Sequence, residues 1–253
     1  MVMRTFVSIV LFVVSALTVL NAQQSLNQTD SKGKKQGLWR KNYEGGTIRY
    51  EGSFVDDQPN GIFRYYSENG TLQMVAFHYD KGQKSRVKTY SEKGIMLSSG
   101  NYFKKEKDSV WTYFNEDSVL LSVEVWDKGK KNGIERTYYP QGQVAEEITW
   151  KNGLKQGAWN QFFDNGKKRL VSTYDKGEIN GKTIYFHNNG VPKMVGMYKN
   201  GIREGAWVHY DPYGKEEYTE NYKNGVSDRV EIIKGGPPSK PIPEPSINDV
   251  NIR

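Results

Sequence analysis

Apolar and polar residues alternate in short runs along most of the chain, and glycine-containing polar clusters separate these runs. Within residues 157–180, an aromatic run at 158–163 precedes the cluster Asp-Asn-Gly at 164–166. A second run at 169–174 precedes the cluster Asp-Lys-Gly at 175–177. Short runs of aromatic and β-branched residues are typical of strands, and Asn-Gly and related clusters between them are typical of hairpin turns. This stretch therefore predicts one β-hairpin.

The same pattern recurs with a period of 24 residues. A small residue opens each unit, at Gly37, Gly61, Ser85, Ser109, Gly133, Gly157, Gly181 and Gly205. Two positions later four units carry tryptophan, at Trp39, Trp111, Trp159 and Trp207. Seventeen positions after the start stand Phe54, His78, Tyr102, Trp126, Trp150, Tyr174, Tyr198 and Tyr222. A match of this length without an insertion predicts eight tandem hairpins over residues 37–228.

Eight hairpins laid side by side predict an all-β protein, an elongated single-file array of β-hairpin repeats. Sixteen strands at a spacing of about 4.8 Å would make a sheet roughly 75 Å long. No single hairpin can bury a core, so we expect each unit to be stabilised by its neighbours. Trp159 and Phe162 have opposite parity in a regular strand, so either a bulge separates them or both faces carry aromatic residues.

The two ends of the chain differ from the repeats. Arg4 precedes an apolar run at 6–20, and Ala22 offers a small residue for cleavage, which predicts a secretory signal peptide at 1–22 and an exported protein, periplasmic, surface-bound or secreted. A polar linker at 23–36 follows it. We expect residues 229–253 to form a cap strand and a proline-rich extended tail.

The composition offers little chemistry for catalysis. The chain has no cysteine, which excludes disulfides and thiolate chemistry. Its net charge is +7, but the basic residues are spread along the chain and interrupted by acidic residues, so no nucleic-acid partner is predicted. His78, His187 and His209 lack the spacing of a metal site, and the glycines recur as turn residues instead of forming one phosphate loop. We therefore predict a protein that is not an enzyme and that binds no metal or cofactor.

The unit from Gly205 to Gly225 has the pattern small-x-Trp-x-x-Tyr, a turn glycine, and then Tyr-x-x-Gly. This pattern resembles the MORN variant repeat (membrane occupation and recognition nexus), and the resemblance covers about residues 37–228. It implies a ribbon of hairpins that contacts proteins or lipids, with no catalytic residues of its own. Bacterial members are often labelled antitoxins of toxin–antitoxin systems, a cytoplasmic role that the predicted signal peptide argues against.

The leading hypothesis is an exported, non-catalytic repeat protein that acts as a protein-binding scaffold in the bacterial envelope. The alternative is a binder of a lipid surface, a glycan or a cell-wall polymer, and a cytoplasmic antitoxin-like role is less favoured. Tryptophan supplies a large contact area at low entropic cost, although packing within the repeat would explain the same residues. The candidate binding residues are Trp39, Trp111, Trp126, Trp150, Trp159 and Trp207.

Overall fold

The structure is a computed structural model, and it describes residues 25–232. The predicted signal peptide, most of its cleavage region and the proline-rich tail lie outside the described residues. Within residues 25–232 the chain is all-β, and every pair of neighbouring strands is antiparallel. The predicted fold class is confirmed.

The strands form one open sheet. They are β1 Gln28–Thr29, β2 Lys35–Asn42, β3 Ile48–Val55, β4 Gln58–Tyr66, β5 Leu72–Tyr79, β6 Lys84–Tyr90, β7 Met96–Phe103, β8 Glu106–Phe114, β9 Leu120–Asp127, β10 Lys130–Lys131, β11 Gly133–Tyr138, β12 Val144–Lys151, β13 Leu154–Phe162, β14 Lys168–Asp175, β15 Glu178–Ile179, β16 Gly181–Phe186, β17 Pro192–Lys199, β18 Ile202–Tyr210, β19 Glu216–Lys223 and β20 Val226–Ile232.

Apart from the divided strands and the edge strands, each strand is paired with the strand before it and the strand after it in the sequence. Each of the eight repeats contributes one hairpin, and the first strand of two repeats is divided into β10 with β11 and β15 with β16. Two further strands lie at the edges: β1 pairs with β2, and β20 pairs with β19. The sheet is therefore a simple meander of hairpins in file.

Two kinds of turn alternate along the meander. Within a repeat, the amide of Phe163 donates to the carbonyl of Lys167 (2.8 Å), and the amide of Gly166 donates to the carbonyl of Phe163 (2.9 Å). Between repeats, Asn152 and Gly153 both have positive φ (52° and 85°), the conformation of a two-residue type I′ hairpin turn. The amide of Gly153 also donates to the carbonyl of Lys131 (2.8 Å), so each such turn is tied to the repeat before it.

In six of the eight repeats, the small residue that opens the repeat lies in a bulge of the first strand. Ser85 is an exception, because it pairs in regular register with His78. Trp159 faces Ile148 and Lys155 faces Trp150, so that Thr149 alone is opposite the three residues 156–158. Gly157 lies in this bulge with φ of 98°, a backbone conformation that residues with a β-carbon rarely adopt. This geometry explains why small residues recur there.

Both faces of the sheet carry aromatic side chains. Trp159 pairs with Ser172, and Phe162 pairs with Lys168 across the same two strands. The irregularity in this pairing leaves Arg169 of β14 without a partner, whereas β13 runs regularly from Trp159 to Phe162. Alternation along β13 therefore places the two rings on opposite faces. We call the face that bears Trp159 the aromatic face, and the other the opposite face.

Candidate binding surfaces

The central row of the aromatic face is built from aromatic rings and glycines. Three large rings in this row have at most 3% of their surface exposed, although the sheet is a single layer. Each ring lies flat across a glycine of the preceding strand, and a β-carbon on that glycine would overlap the ring. The pairs are Phe63 on Gly52, Trp111 on Gly100 and Trp207 on Gly196. Glycine thus leaves the space in which a neighbouring ring is buried.

All six predicted tryptophans lie on the aromatic face, but they differ in exposure. Trp111 and Trp207 are buried among neighbouring rings, including Tyr102 and Tyr198, so they present almost no side-chain surface to a partner. The other four are partly exposed: Trp39, Trp126, Trp150 and Trp159.

Hydrogen bonds hold three of the partly exposed indoles in place. The indole nitrogen of Trp126 donates to Glu124 (2.9 Å), that of Trp159 to Glu146 (2.8 Å), and that of Trp39 to the carbonyl of Gln28 (3.1 Å). The nitrogen of Trp150 is buried without a hydrogen-bond partner.

A ladder of alternating cations and rings crosses the aromatic face. The ammonium of Lys131 lies 5.9 Å from the ring centre of Trp126 and 5.0 Å from that of Trp150. The ammonium of Lys155 lies 5.8 Å from the ring centre of Trp150 and 4.9 Å from that of Tyr174. The same relation recurs for Lys35, Lys107 and Arg203. These attractions stabilise the stacking of one repeat on the next.

The ladder brings together several of the predicted tryptophans. Trp126, Trp150 and, through Tyr174 at 5.2 Å, Trp159 belong to one continuous series, whereas Trp39 lies near the N-terminal edge. The cations of the ladder were not predicted. Their sequence signal is a basic residue two positions before the start of a repeat, as at Lys131 and Lys155.

Two carboxylates flank the middle of the ladder. Lys131 binds Glu124 at 2.8 Å and Glu135 at 2.9 Å, and all three side chains are largely buried. Burial alone would raise the pKa of Glu124, but its hydrogen bonds with Lys131, Tyr113 and Trp126 outweigh burial and lower that pKa. Burial, together with a hydrogen bond to Glu124, raises the pKa of Tyr113. Lys131 thus bridges the two carboxylates and stabilises the sheet, and the three side chains together carry a net charge of −1.

Most large apolar side chains that remain exposed lie on the opposite face. Strand alternation and the pairing register place ten of them there. They are Val55, Ile62, Phe77, Tyr79, Val110, Ile134, Leu154, Met197, Ile202 and Val226. This surface was not predicted, because the predicted binding residues are all tryptophans. The available signal in the sequence was spacing, because these exposed apolar residues lie an odd number of positions from the buried aromatic residues.

The exposed apolar residues are mixed with cations on β4, β5 and β6. Across these strands one row reads Ile62, Phe77, Arg86, and the next row reads Arg64, Val75, Lys88. We call these six residues together with Tyr79 the β4–β6 patch.

The three histidines lie in three different repeats. His78 packs edge-on against Phe63 at 5.0 Å, and both of its ring nitrogens are buried without a hydrogen-bond partner. His187 contacts the carbonyl of Tyr210 (2.8 Å), and His209 contacts Glu220 (3.0 Å). Within residues 25–232 no group of three or more His, Asp or Glu side chains is placed to hold a metal ion.

An open meander of repeated hairpins defines the class as a β-hairpin repeat protein. The family described as "MORN repeat variant" matches residues 35–56, 59–81, 131–152 and 179–200, which fall on the first, second, fifth and seventh repeats. The chain is a MORN variant repeat protein.

Comparisons with other proteins add little beyond the family. None of the curated proteins matches the chain. Among solved structures, TarM is 17% identical with a TM-score of 0.28, over 37% of this chain and 20% of TarM. The Photorhabdus luminescens Tc holotoxin pore is 14% identical with a TM-score of 0.19, over 74% of this chain and 13% of that chain. The chain thus spans a fifth or less of either protein, and similarities of this size carry no argument.

In the part of the chain from residue 25 to residue 232, no helix is long and apolar enough to span a membrane.

Proposed function

We propose that the protein is an exported, non-catalytic scaffold of the bacterial envelope that binds a protein partner through the opposite face of its sheet. The observation that carries this proposal is the gathering of exposed apolar side chains on that face, including Ile62, Phe77 and Met197, which are close to half exposed. Exposed apolar surface gathered on one side of a protein is typical of an interaction site.

The state of the aromatic face supports the same choice. Phe63, Trp111 and Trp207 are buried on glycine. Cations lie over the rings of Trp126 and Trp150, which are partly exposed. A glycan or a lipid tail that stacked on Trp126 or Trp150 would have to displace Lys131 or Lys155. A partner on the opposite face would therefore not have to displace these cation–ring contacts.

The proposal of export is supported by the N-terminal sequence, with Arg4, the apolar run at 6–20 and Ala22. Mass spectrometry of the native protein tests it, because cleavage predicts a chain that begins at Gln23. An intact N-terminus on a cytoplasmic protein would contradict export and favour the antitoxin-like role.

Site-specific photo-crosslinking in the native cell tests the binding surface. A photoreactive phenylalanine analogue replaces Val110 or Met197 on the opposite face, and replaces Tyr213 as the control. Tyr213 is 92% exposed but lies in a turn, so it reports accessibility alone. We expect adducts of discrete protein mass from the two face positions and none from Tyr213.

Two results would count against a protein partner. Absence of protein adducts at both face positions, combined with co-sedimentation of the protein with cell-wall polymer or lipid vesicles, would establish the alternative function. Equal labelling at Tyr213 and at the face positions would show accidental collisions instead of a binding surface.

A further inference from the structure

The β4–β6 patch has an apolar centre with cations on both sides. Its middle strand β5 presents Val75, Phe77 and Tyr79 on the opposite face, and the rings of Phe77 and Tyr79 are stacked at 6.0 Å. Phe77 is 49% exposed. Arg64 on β4 and Lys88 on β6 lie on either side of Val75, and Arg86 lies beside Phe77.

The cations of this patch have no acidic partner among the described residues. Arg64, Arg86 and Lys88 are exposed, and none of them forms an ion pair with a described carboxylate. Glu51 is directly opposite Arg64, but it binds the guanidinium of Arg40 (3.0 Å) and accepts a hydrogen bond from Tyr66 (3.3 Å).

Two other cations near the patch form ion pairs. Lys84 of β6 binds Asp80 at 3.2 Å, and Arg40 is held by Glu51. Within repeat five, Arg136 of the opposite face binds Glu147 at 2.7 Å. Cations on this face can therefore form ion pairs with nearby carboxylates, but the three exposed cations of the β4–β6 patch do not.

The spacing of the apolar side chains fits an extended polypeptide. Alternate side chains of a strand lie about 6.8 Å apart, and neighbouring strands lie about 4.8 Å apart. Alternate side chains of an extended chain lie on the same side. A chain lying along β5 would set apolar side chains of its sheet-facing side against Phe77 and Tyr79. A carboxylate on that same side would reach Arg64 and Lys88 beside Val75, and guanidinium groups bind carboxylates in a bidentate manner.

We propose that the β4–β6 patch is the docking site for an acidic, extended segment of a partner protein that also carries apolar side chains. The inference rests on the proposed scaffold function and specifies its partner class. A purely anionic polymer would leave Ile62 and Phe77 uncovered, and a purely apolar one would desolvate Arg64, Arg86 and Lys88 without compensation. Charge complementarity would also speed association at low ionic strength.

Binding of synthetic probes to the full chain tests the proposal by fluorescence anisotropy. The main probe, called the Glu-Leu peptide, is a labelled repeat of Glu-Ser-Leu-Ser, which places Glu and Leu on the same side of an extended chain. The comparison probes are the corresponding repeat of Lys-Ser-Leu-Ser and a poly-Glu peptide. Vesicles of phosphatidylcholine with phosphatidylglycerol, followed by sedimentation, provide the lipid comparison. We expect the Glu-Leu peptide to bind most tightly and to lose affinity as salt increases.

Matched variants locate the site. Arg64→Glu with Arg86→Glu reverses two patch cations, and we expect it to weaken binding of the Glu-Leu peptide by about tenfold or more. Phe77→Ser should weaken the same peptide while leaving the weaker binding of poly-Glu nearly unchanged. Lys151→Glu with Lys182→Glu makes the same charge change at exposed positions of the opposite face outside the patch. We expect this control to bind within about twofold of the wild type.

Several results would overturn the inference. Equal weakening by the two charge-reversal pairs would show a general charge effect, and tighter binding of poly-Glu or of vesicles would identify a different ligand. Far-UV circular dichroism and urea unfolding of each variant establish that the fold is intact. If crosslinking at Met197 yields a protein adduct that Arg64→Glu with Arg86→Glu leaves unchanged, the scaffold function stands and the docking site is wrong. Loss of all adducts from wild type would reject the scaffold function itself.

Discussion

The indole ring of Trp207 lies flat on the backbone of Gly196, and the ring is completely buried although only one layer of sheet is present. Tyr198 and Tyr222 close the sides of the ring with edge contacts at 5.1 and 6.2 Å. A glycine on one strand and an aromatic ring on the next thus replace the second layer that most sheets require.

Replacement of this glycine should be costly. In Gly196→Ala the new β-carbon overlaps the ring of Trp207, so we expect a loss of about 1–3 kcal/mol in the free energy of unfolding. Urea unfolding followed by circular dichroism measures the loss. Gly45→Ala is the control, because a β-carbon at Gly45 meets nothing within 4 Å and should change little. Equal effects of the two substitutions would contradict the role of the ring.

His78 should make the stability depend on pH. Burial without a hydrogen-bond partner lowers the pKa of its imidazole below the ordinary 6.5. Below that pH the unfolded chain binds the proton more readily than the folded chain, so the stability falls as the solution becomes acidic. In His78→Phe this component is absent. We expect the wild type to lose more stability than His78→Phe between about pH 7.5 and about pH 5, as measured by urea unfolding. Parallel curves for the two proteins would refute this assignment.

Removal of the cation between Glu124 and Glu135 should destabilise the middle of the sheet. In Lys131→Met the two carboxylates lose their shared partner, and we expect a loss on the order of 2 kcal/mol at neutral pH. Addition of Glu135→Gln should recover part of that loss, because one of the two charges is then gone. Thermal unfolding compares the variants.

Lys155→Met is the control for this prediction. Lys155 also lies between two rings, Trp150 and Tyr174, but forms no ion pair with a described carboxylate. We expect it to cost roughly 0.5–1 kcal/mol. A loss as large as that of Lys131→Met would show that ring contacts, and not the carboxylates, dominate.

A glycine substitution in the turn between β7 and β8 should increase the stability of the protein. Lys105 has φ of 69° there, where the corresponding position of later turns is glycine, as at Gly153. The left-handed conformation costs a residue with a β-carbon about 1–2 kcal/mol, so we expect Lys105→Gly to stabilise the protein by about 1 kcal/mol. Gly153→Lys should cause a loss of similar size. Differential scanning calorimetry measures both, and destabilisation by Lys105→Gly would reject the argument.

Much of the fold could be predicted because the repeat pattern is local. Asn-Gly turns such as Asn152-Gly153 and the bulge glycine Gly157 specify backbone conformations directly, and their period fixes the number of hairpins. The pairing of neighbours follows, since a two-residue turn leaves a strand no other partner.

The exposure of a particular tryptophan could not be predicted in this way. Trp159 and Trp207 occupy the same repeat position, yet Trp159 stands against Ile148 and stays partly exposed, whereas Trp207 covers Gly196. The deciding residue lies on the preceding strand, and the bulge between the two residues hides the relation from simple counting. The exposed Phe77 was overlooked for a related reason, because its face follows from the register and not from its residue type.

The meander has a mechanical consequence. The strands β1 and β20 lie at opposite edges, and the strands between them pair within the sheet in the order in which they follow one another along the chain. Tension applied between these edges would separate the hairpins one after another and would not have to shear several strands at once. A protein anchored at both edges would lengthen in short steps of one hairpin and shorten again as each turn re-formed, so this fold can act as an extensible tether.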